Sequence, residues 1–368
     1  MSAAADGTLT LEDKRDGRRF EGLNRIVDGG DRGDEYNYCA PERDEIVDRP
    51  ERTSARVVEA GAARWTLEIA STYSLPESLS EKRNGRSDER VECAVVSRAR
   101  LYPGVERVDI ETEIDNRARD HRLRAHFPTG VRAEETAAEQ HFGVVRRAVA
   151  LPEDDGTWLE TPVGTYPQKA FVDVSDGARG FTLANRGLPE YEALREGEGT
   201  VTLALTLLRC VGWLSRSDFP SRKGQAGPPM ETPGAQMPGR WRFEYSLIPH
   251  AADWSTAFGE AHRAARPLGG VRTERGDGSL APSASLVEVE PAAVVVSALK
   301  AADDGEGVIV RVYNISDGAV EGRLRLTAAD ASAELVNLNE EPLGPAETVD
   351  GWVRLSLRRN EIATLRFR

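Results

Sequence analysis

The stretch Val105-Glu-Arg-Val-Asp-Ile-Glu-Thr-Glu-Ile114 decides how this chain folds, because its apolar and charged residues alternate. Every second residue from 108 to 114 then lies on one face of an extended strand, while charged side chains take the other face. Val201-Thr-Leu-Ala-Leu-Thr-Leu-Leu208 repeats the alternation, with every second residue from 201 to 207 on one face. Both stretches predict half-buried antiparallel strands.

Similar short apolar runs recur through the first 250 residues and are separated by Gly, Pro, Asn or Asp turn signals. They lie at residues 63–71, 91–101, 180–184 and 241–248. A helical period appears at residues 254–266, where Trp254, Phe258 and three alanines share a face. The sequence therefore predicts an all-β fold of the large-sandwich kind with one helix.

The chain is predicted to contain two domains joined by a linker. Residues 267–285 contain the turn-forming pairs and triplets Gly-Gly, Gly-Asp-Gly and Pro-Ser, and their apolar residues do not recur at a regular spacing. Such a composition is typical of a linker. Short strands follow at 308–313, 322–327, 333–338, 352–357 and 361–367. We therefore expect a large β domain over residues 1–266 and a small terminal β-sandwich over residues 286–368.

The charge balance limits the partners of this chain. Asp and Glu number 61 against 48 Lys and Arg, which gives a net charge of −13. Such a field repels phosphate, so neither nucleic acid nor an anionic membrane is expected as a partner. The sequence has neither a long apolar run nor a basic, apolar start, which predicts no membrane span and a cytoplasmic location. Cys39, Cys93 and Cys210 are too widely spaced for a disulfide framework or a zinc knuckle.

Asp28, Asp31 and Asp34 lie three residues apart in a Gly-rich loop. Carboxylates that converge in such a loop bind calcium or line a sugar site, although the spacing differs from that of the Asp-x-Asp-x-Asp-Gly calcium loop. Gly-flanked aspartates also occur in ordinary turns. The residue pattern by itself leaves these alternatives open.

The familiar local signatures of catalysis and metal binding do not occur in the sequence. His121 and His126 have no metal-ligand spacing, and the chain has no HExxH, GxSxG, GxxxxGK[ST] or strand-flanked GxGxxG motif. We accordingly predict no catalytic residue and no metal ligand. Arg209 and Trp213 follow a strongly alternating strand, where they either contact a sugar or, for the arginine, pair with a carboxylate.

Several segments resemble, in order and in approximate spacing, the C-terminal β-region of glycoside hydrolase family 38, the retaining α-mannosidases. The segments are Gly22-Leu-Asn-Arg-Ile-Val-Asp-Gly-Gly-Asp-Arg-Gly-Asp-Glu-Tyr-Asn-Tyr38, His141-Phe-Gly-Val-Val-Arg146, Tyr166-Pro-Gln-Lys-Ala-Phe-Val172, Ala184-Asn-Arg-Gly-Leu-Pro-Glu-Tyr191, Leu207-Leu-Arg-Cys-Val-Gly-Trp-Leu-Ser-Arg216, Ile248-Pro-His250, Ser297-Ala-Leu-Lys300 and Arg311-Val-Tyr-Asn314. Together they extend over nearly the whole chain.

The resemblance implies a large β-supersandwich, similar to the galactose mutarotase fold, followed by a small β-sandwich. In the family, a separate α/β domain holds a zinc ion, an Asp nucleophile and a carboxylic acid/base, and a retaining glycosidase needs two such carboxyl groups. No segment here resembles those motifs, since the chain starts at Met1 just before the large β-region. We therefore expect no cofactor on this chain, with zinc implied for a separate catalytic domain, and no activity of the chain alone.

The resemblance also implies residues that contact the sugar. Tyr36 matches the family's tyrosine that hydrogen-bonds the bound mannoside, and Arg209 matches its arginine. Arg186, in Ala-Asn-Arg-Gly, competes with Arg209 for that role. Asp34 is expected to shape the Tyr36 loop, with direct substrate contact as a further alternative.

Two functional hypotheses follow. In the first, the chain is the non-catalytic half of an α-mannosidase, completing a site for an α-mannoside or another carbohydrate when it binds a separately encoded family 38 catalytic chain. In the second, it is a stand-alone carbohydrate-binding β-sandwich that uses the same Tyr36 and Arg209 groove. A third hypothesis, an independent mutarotase, requires a His and a Glu beside the C1 hydroxyl of a sugar. His126 or His141 would be the histidine in that case.

Overall fold

A computed structural model describes residues 1–218, 220–274, 276, 278, 281–327 and 332–368. It divides into two compact units. The first comprises residues 1–138 and 146–267, and the second comprises residues 139–145 and 268–368. Part of the predicted linker, at residues 275, 277, 279 and 280, lies outside the described residues.

The regular secondary structure of the chain up to residue 251 consists almost entirely of strands, which are joined by long loops. In order these are β1 Ser2–Ala3, β2 Leu9–Asp13, β3 Arg18–Leu23, β4 Arg25–Gly30, β5 Arg52–Ala60, β6 Trp65–Pro76, β7 Arg90–Leu101, β8 Val108–Asn116, β9 His121–Arg132, β10 Glu135–Gln140, β11 Gly143–Ala148, β12 Thr165–Pro167, β13 Phe171–Ser175, β14 Arg179–Asn185, β15 Glu190–Arg195, β16 Thr200–Cys210 and β17 Gly239–Ala251.

These strands form three sheets. The largest has the order β11-β10-β13-β14-β17-β8-β7-β6-β5, and a second has the order β12-β15-β16-β9-β4. Strands β1, β2 and β3 form a small third sheet. Apolar side chains from the nine-stranded and five-stranded sheets meet in one core, where the Phe127 and Tyr245 rings lie 5.7 Å apart. The all-β prediction is therefore confirmed.

The two deciding stretches behave differently. Strand β8 buries Val108, Ile110, Thr112 and Ile114 in the core, as its alternation predicts. Strand β16 was predicted to be half-buried, and this is wrong because it is buried on both faces over almost its full length. It lies between β15 and β9, and a register shift between Thr206 and Leu208 interrupts its alternation.

The predicted helix at residues 254–266 forms in two pieces. A 3₁₀ turn spans Trp254–Thr256, with the Asp253 side chain accepting from the Ser255 amide, and helix α1 spans Phe258–Ala265. Two further 3₁₀ turns span Gly197–Gly199 and Pro233–Gln236. None of the helices in the described part of the chain is long and apolar enough to cross a membrane.

The second unit is a β-sandwich with its own core. Its strands are β18 Val287–Glu290, β19 Val294–Ala301, β20 Val308–Asn314, β21 Val320–Leu326, β22 Ala333–Val336, β23 Pro342–Pro345, β24 Thr348–Val349, β25 Trp352–Leu357 and β26 Ile362–Phe367. The sheet β18-β21-β25-β24 packs Leu324 and Val353 against Val310, Val312 and Leu365 of the sheet β19-β20-β26-β22-β23. The predicted small terminal β-sandwich is therefore confirmed.

Candidate functional site

The Gly-rich acidic segment lies where β4 ends. Strand β4 pairs with β9, which pairs in turn with β16, so the loop after Gly30 lies beside the end of β16. Hydrogen bonds from the Asp31 amide to the Asp120 carbonyl and from the Glu35 amide to the Trp213 carbonyl join the loop to both neighbours. We call residues 31–38 the acidic loop.

Asp34 is fully buried and organises the acidic loop. Its Oδ1 accepts hydrogen bonds from the amides of Tyr36, at 3.0 Å, and Asn37, at 2.9 Å. Its Oδ2 accepts from the Arg216 amide at 2.8 Å and from Arg222 Nη2 at 2.6 Å. Burial opposes ionisation, but these donors outweigh it and lower the pKa of Asp34. Asp34 thus shapes the loop, and its oxygens are occupied.

Arg209 reaches under the loop from the end of β16. Its Nε lies 2.8 Å from Asp31 Oδ2, and its other nitrogens donate to the backbone carbonyls of Asp34, Glu35 and Asn37. Asp31 is completely buried, and burial raises its pKa although Arg209 acts against this. The arginine therefore clamps the loop, and its role as a sugar donor stays a prediction.

Tyr36 projects from the loop that these ion pairs hold. Its side chain is 54% exposed. Among the residues that the structure describes, nothing hydrogen-bonds its hydroxyl. A Cβ at Gly227 would lie 3.0 Å from the Tyr36 hydroxyl, so a larger residue there would press on the end of the tyrosine side chain. The loop thus presents a phenol whose hydroxyl can both donate and accept.

Arg222 is the residue of this site that sequence reasoning missed. It is 6% exposed, bonds both Asp34 and the Asn37 side chain, and donates to the Arg216 carbonyl at 2.8 Å. Its guanidinium carbon lies 6.0 Å from the centre of the Tyr36 ring. It lies 188 residues from Asp34 in the chain, and no local motif marks it.

A second group of charged side chains lies on the same five-stranded sheet. The Arg122 guanidinium stacks 3.5 Å from the centre of the Tyr38 ring, and Arg122 pairs across the strands with Arg209. Arg124 Nη1 lies 2.5 Å from Glu192 Oε2. Arginine, tyrosine and carboxylate groups therefore continue from the acidic loop onto the sheet.

Asp28 does not join Asp31 and Asp34 in one site. It is buried between His121, whose Nδ1 lies 2.5 Å from Oδ1, and Arg86, whose Nη2 lies 2.6 Å from Oδ2. Burial alone lowers the pKa of His121, but the Asp28 carboxylate outweighs it and raises that pKa to about 10. Each of the three aspartates thus has its own cationic partner.

The pairing of these aspartates with cationic side chains argues against a calcium or zinc site. Nowhere in the described ranges do three or more His, Cys, Asp or Glu side chains come together in a way that would hold a metal ion. Because Asp28, Asp31 and Asp34 are each paired with an arginine or a histidine, the calcium interpretation has no support, and no zinc-dependent step follows from these residues.

Arg186 lies elsewhere. It follows β14, pairs with Glu244 of β17, and faces a cavity beside α1 that none of the acidic-loop residues lines. Trp213, in contrast, lies next to the loop through its carbonyl, and its ring stacks on Arg216 at 5.1 Å. The structure therefore brings Asp34, Tyr36 and Arg209 together and leaves Arg186 apart.

The fold and the sequence comparisons agree on a family. Residues 2–217 match the glycosyl hydrolases family 38 C-terminal domain, and residues 293–365 match the glycosyl hydrolases family 38 C-terminal beta sandwich domain. Because the first match alone covers more than half of the chain, the chain belongs to glycosyl hydrolase family 38, of which it holds the C-terminal region.

Individual proteins and solved structures of the family are similar to this chain over nearly its whole length. A Halalkalibacterium halodurans protein named "Putative mannosylglycerate hydrolase" is 28% identical over 98% of this chain. Two Enterococcus faecalis structures, an alpha-mannosidase and a family 38 glycosyl hydrolase, superpose with TM-scores of 0.84 and 0.83 at 30% and 28% identity over 99% of this chain. This chain spans only 40%, 41% and 42% of those three proteins, respectively.

Proposed function

We propose that this chain is the non-catalytic, carbohydrate-contacting C-terminal part of an α-mannosidase, which works together with a family 38 catalytic chain that carries zinc. The catalytic chain supplies the nucleophile and the acid/base for hydrolysis of an α-mannosidic bond with retention. This chain supplies groups that bind the sugar. The observation that carries the proposal is Tyr36, which is 54% exposed and whose hydroxyl has no hydrogen-bond partner among the described residues, on a loop held by buried ion pairs.

The construction of the acidic loop supports this role. Asp31 and Asp34 are buried. Arg209 pairs with Asp31 and donates to the Asn37 backbone carbonyl, while Arg222 pairs with Asp34. A polar group that is held in place by its supports loses little conformational entropy when it meets a ligand. The loop therefore favours a recognition role for Tyr36 over that of an ordinary surface tyrosine.

The surroundings of the loop support a partner. Trp158, Leu159 and Met230 are 44%, 74% and 53% exposed. They belong to segments joined to one another and to the loop, since the Lys223 amide donates to the Leu159 carbonyl and the Leu214 amide to the Met230 carbonyl. Exposed apolar residues that form a contiguous patch are typical of a docking surface, and we propose that these segments contact a partner. Because the relatives contain more than twice the length of this chain, their remaining part is the occupant that we propose.

The experiment is an assay on an aryl α-mannoside with zinc, using the full chain alone, a family 38 catalytic chain alone, and the mixture. We expect activity only in the mixture. Tyr36→Phe, which removes one hydroxyl, should lower kcat/KM of the mixture about tenfold, because one hydrogen bond to the sugar is lost. Tyr102→Phe, at a tyrosine in the turn that follows β7, is the control.

Three results would contradict the proposal. Activity of this chain alone would place catalysis within it. A mixture no more active than its catalytic chain would remove the proposed partnership, and mannose binding by this chain alone would then favour the carbohydrate-binding module. Equal kcat/KM for Tyr36→Phe and Tyr102→Phe would exclude Tyr36 from the sugar site.

A further inference from the structure

A cavity of about 310 Å³ lies in the first unit, on the face of the nine-stranded sheet that points away from the core. Strands β7, β8 and β17 form its floor, and the end of α1 and the turn after β14 form its walls. Six arginines from different segments line it: Arg64, Arg100, Arg107, Arg186, Arg242 and Arg263. This clustering brings together residues that the proposed function does not use.

The charge of this cavity is opposite to that of the chain. Among the described residues, three carboxylates line it, those of Asp109, Glu111 and Glu244, while the whole chain carries −13. Glu111 and Glu244 are each shared, because Arg242 Nη2 lies 2.7 Å from both of them. Two further carboxylates pair with these arginines from just outside the lining, Glu59 with Arg64 and Glu260 with Arg107 and Arg263. Six arginines thus face five carboxylates, so the local charge remains positive in an acidic chain.

Several of these arginines engage their carboxylate partners through only part of the guanidinium group. Arg100 contacts Glu111 through Nη2 alone, at 3.1 Å, and Arg263 contacts Glu260 through Nη1 alone, at 2.5 Å. Arg242 contacts Glu111 and Glu244 through Nη2, whereas Arg107 engages Asp109 and Glu260 through Nε, Nη1 and Nη2. A guanidinium carries five N–H donors in a planar fork that matches two oxygens of a carboxylate or phosphate. Within the described part of the chain, Arg100, Arg242 and Arg263 therefore retain N–H donors that their carboxylate partners do not engage.

We propose that this cavity binds a small multivalent oxyanion. Phosphate and polycarboxylate share the required chemistry, which is several oxygens with more than one negative charge. The cavity volume is at the lower end of the range for small-molecule sites, so it admits a compact molecule larger than a single ion. The proposal does not depend on the sugar site, since none of the acidic-loop residues lines this cavity.

The test is calorimetric titration of the full chain with inorganic phosphate and with citrate, at constant ionic strength. We expect saturable binding with one site per chain for at least one of them. Phosphate binding alone identifies a phosphoryl group, and citrate binding alone identifies a polycarboxylate. Arg100→Gln should weaken binding about tenfold, because a charge-assisted hydrogen bond is lost.

A second variant keeps the test decisive if Arg100→Gln does not fold. Arg263 is 72% exposed and pairs with a glutamate, so Arg263→Glu changes the charge at the cavity without disturbing the core. Arg132, 64% exposed and paired with Glu198, gives the matched control Arg132→Glu. Binding should fall about threefold or more in the first variant only. No saturable binding of either anion, or equal losses in both variants, would overturn the proposal.

Discussion

Arginine–carboxylate pairs stabilise two regions of the first unit in different ways. Under the acidic loop, Asp34 and Arg222 form a pair whose side chains are 0% and 4% exposed. On the outer face of the nine-stranded sheet, the register places Arg56, Glu68, Arg98, Glu111 and Glu244 in one row across five strands. The Arg56 end of this row is 75% exposed.

The difference shows that burial, more than ion-pair chemistry, sets what such a pair contributes. In the row, Glu68 has two arginine partners, Arg56 and Arg98, and water screens the charges at its edge. Beneath the loop, neither Asp34 nor Arg222 has access to water, so each depends on the other. The row can lose a member, whereas the buried pair cannot.

The largest expected effect is that of Arg222→Met. This change leaves the Asp34 charge buried with only amide donors, so the free energy of unfolding should fall by about 3–5 kcal/mol. Urea unfolding followed by circular dichroism measures it. Asp34→Asn combined with Arg222→Met should recover part of the loss, because the uncompensated charge is removed. A loss below about 1 kcal/mol in the single variant would mean that the buried pair behaves like a surface pair.

The buried Asp28–His121 pair should show itself in the pH dependence of stability. The folded chain holds the His121 proton up to a pKa of about 10, against 6.5 in an unfolded chain. The stabilisation is therefore complete below pH 6.5 and is lost as the pH rises toward 10. The free energy of unfolding should fall with a slope of up to about 1.4 kcal/mol per pH unit.

The free energy of unfolding should be measured between pH 6.5 and about 8.5, below the range in which buried thiols titrate. Burial raises the pKa of Cys93 to about 12 from 9.0, so that group adds its own dependence only at higher pH. His121→Gln is the control, and its unfolding free energy should vary less steeply over the same range. Parallel curves for the two proteins would contradict a charged His121.

How far these regions were predictable follows from the range of their interactions. Of the row on the sheet, the sequence predicted only that Glu111 lies on the outer face, because apolar and charged residues alternate in the 105–114 stretch; the pairing that aligns the other four members was not predicted. The loop was predictable only as a Gly-rich acidic segment, with Tyr36 singled out by resemblance. Its support by Arg222 was not, because nothing local relates residues 188 positions apart in the chain. The prediction that β16 is half-buried failed for the same reason, since its burial on both faces depends on parts of the chain outside its own sheet.

The smallest expected effect is that of Arg56→Met, which matches Arg222→Met in chemistry and differs in burial. Arg56 contacts Glu68 at 2.7 Å, but Glu68 keeps Arg98 at 2.9 Å after the substitution. The free energy of unfolding should therefore fall by less than about 1 kcal/mol at low salt, and the difference should vanish near 1 M salt as screening removes the remaining attraction. Because Met preserves most of the aliphatic stem, packing on the sheet stays nearly unchanged and the salt dependence isolates charge. A loss that equals that of Arg222→Met, or one that persists at high salt, would show that the row acts as a single cooperative network, so that burial would no longer explain the contrast between the two regions.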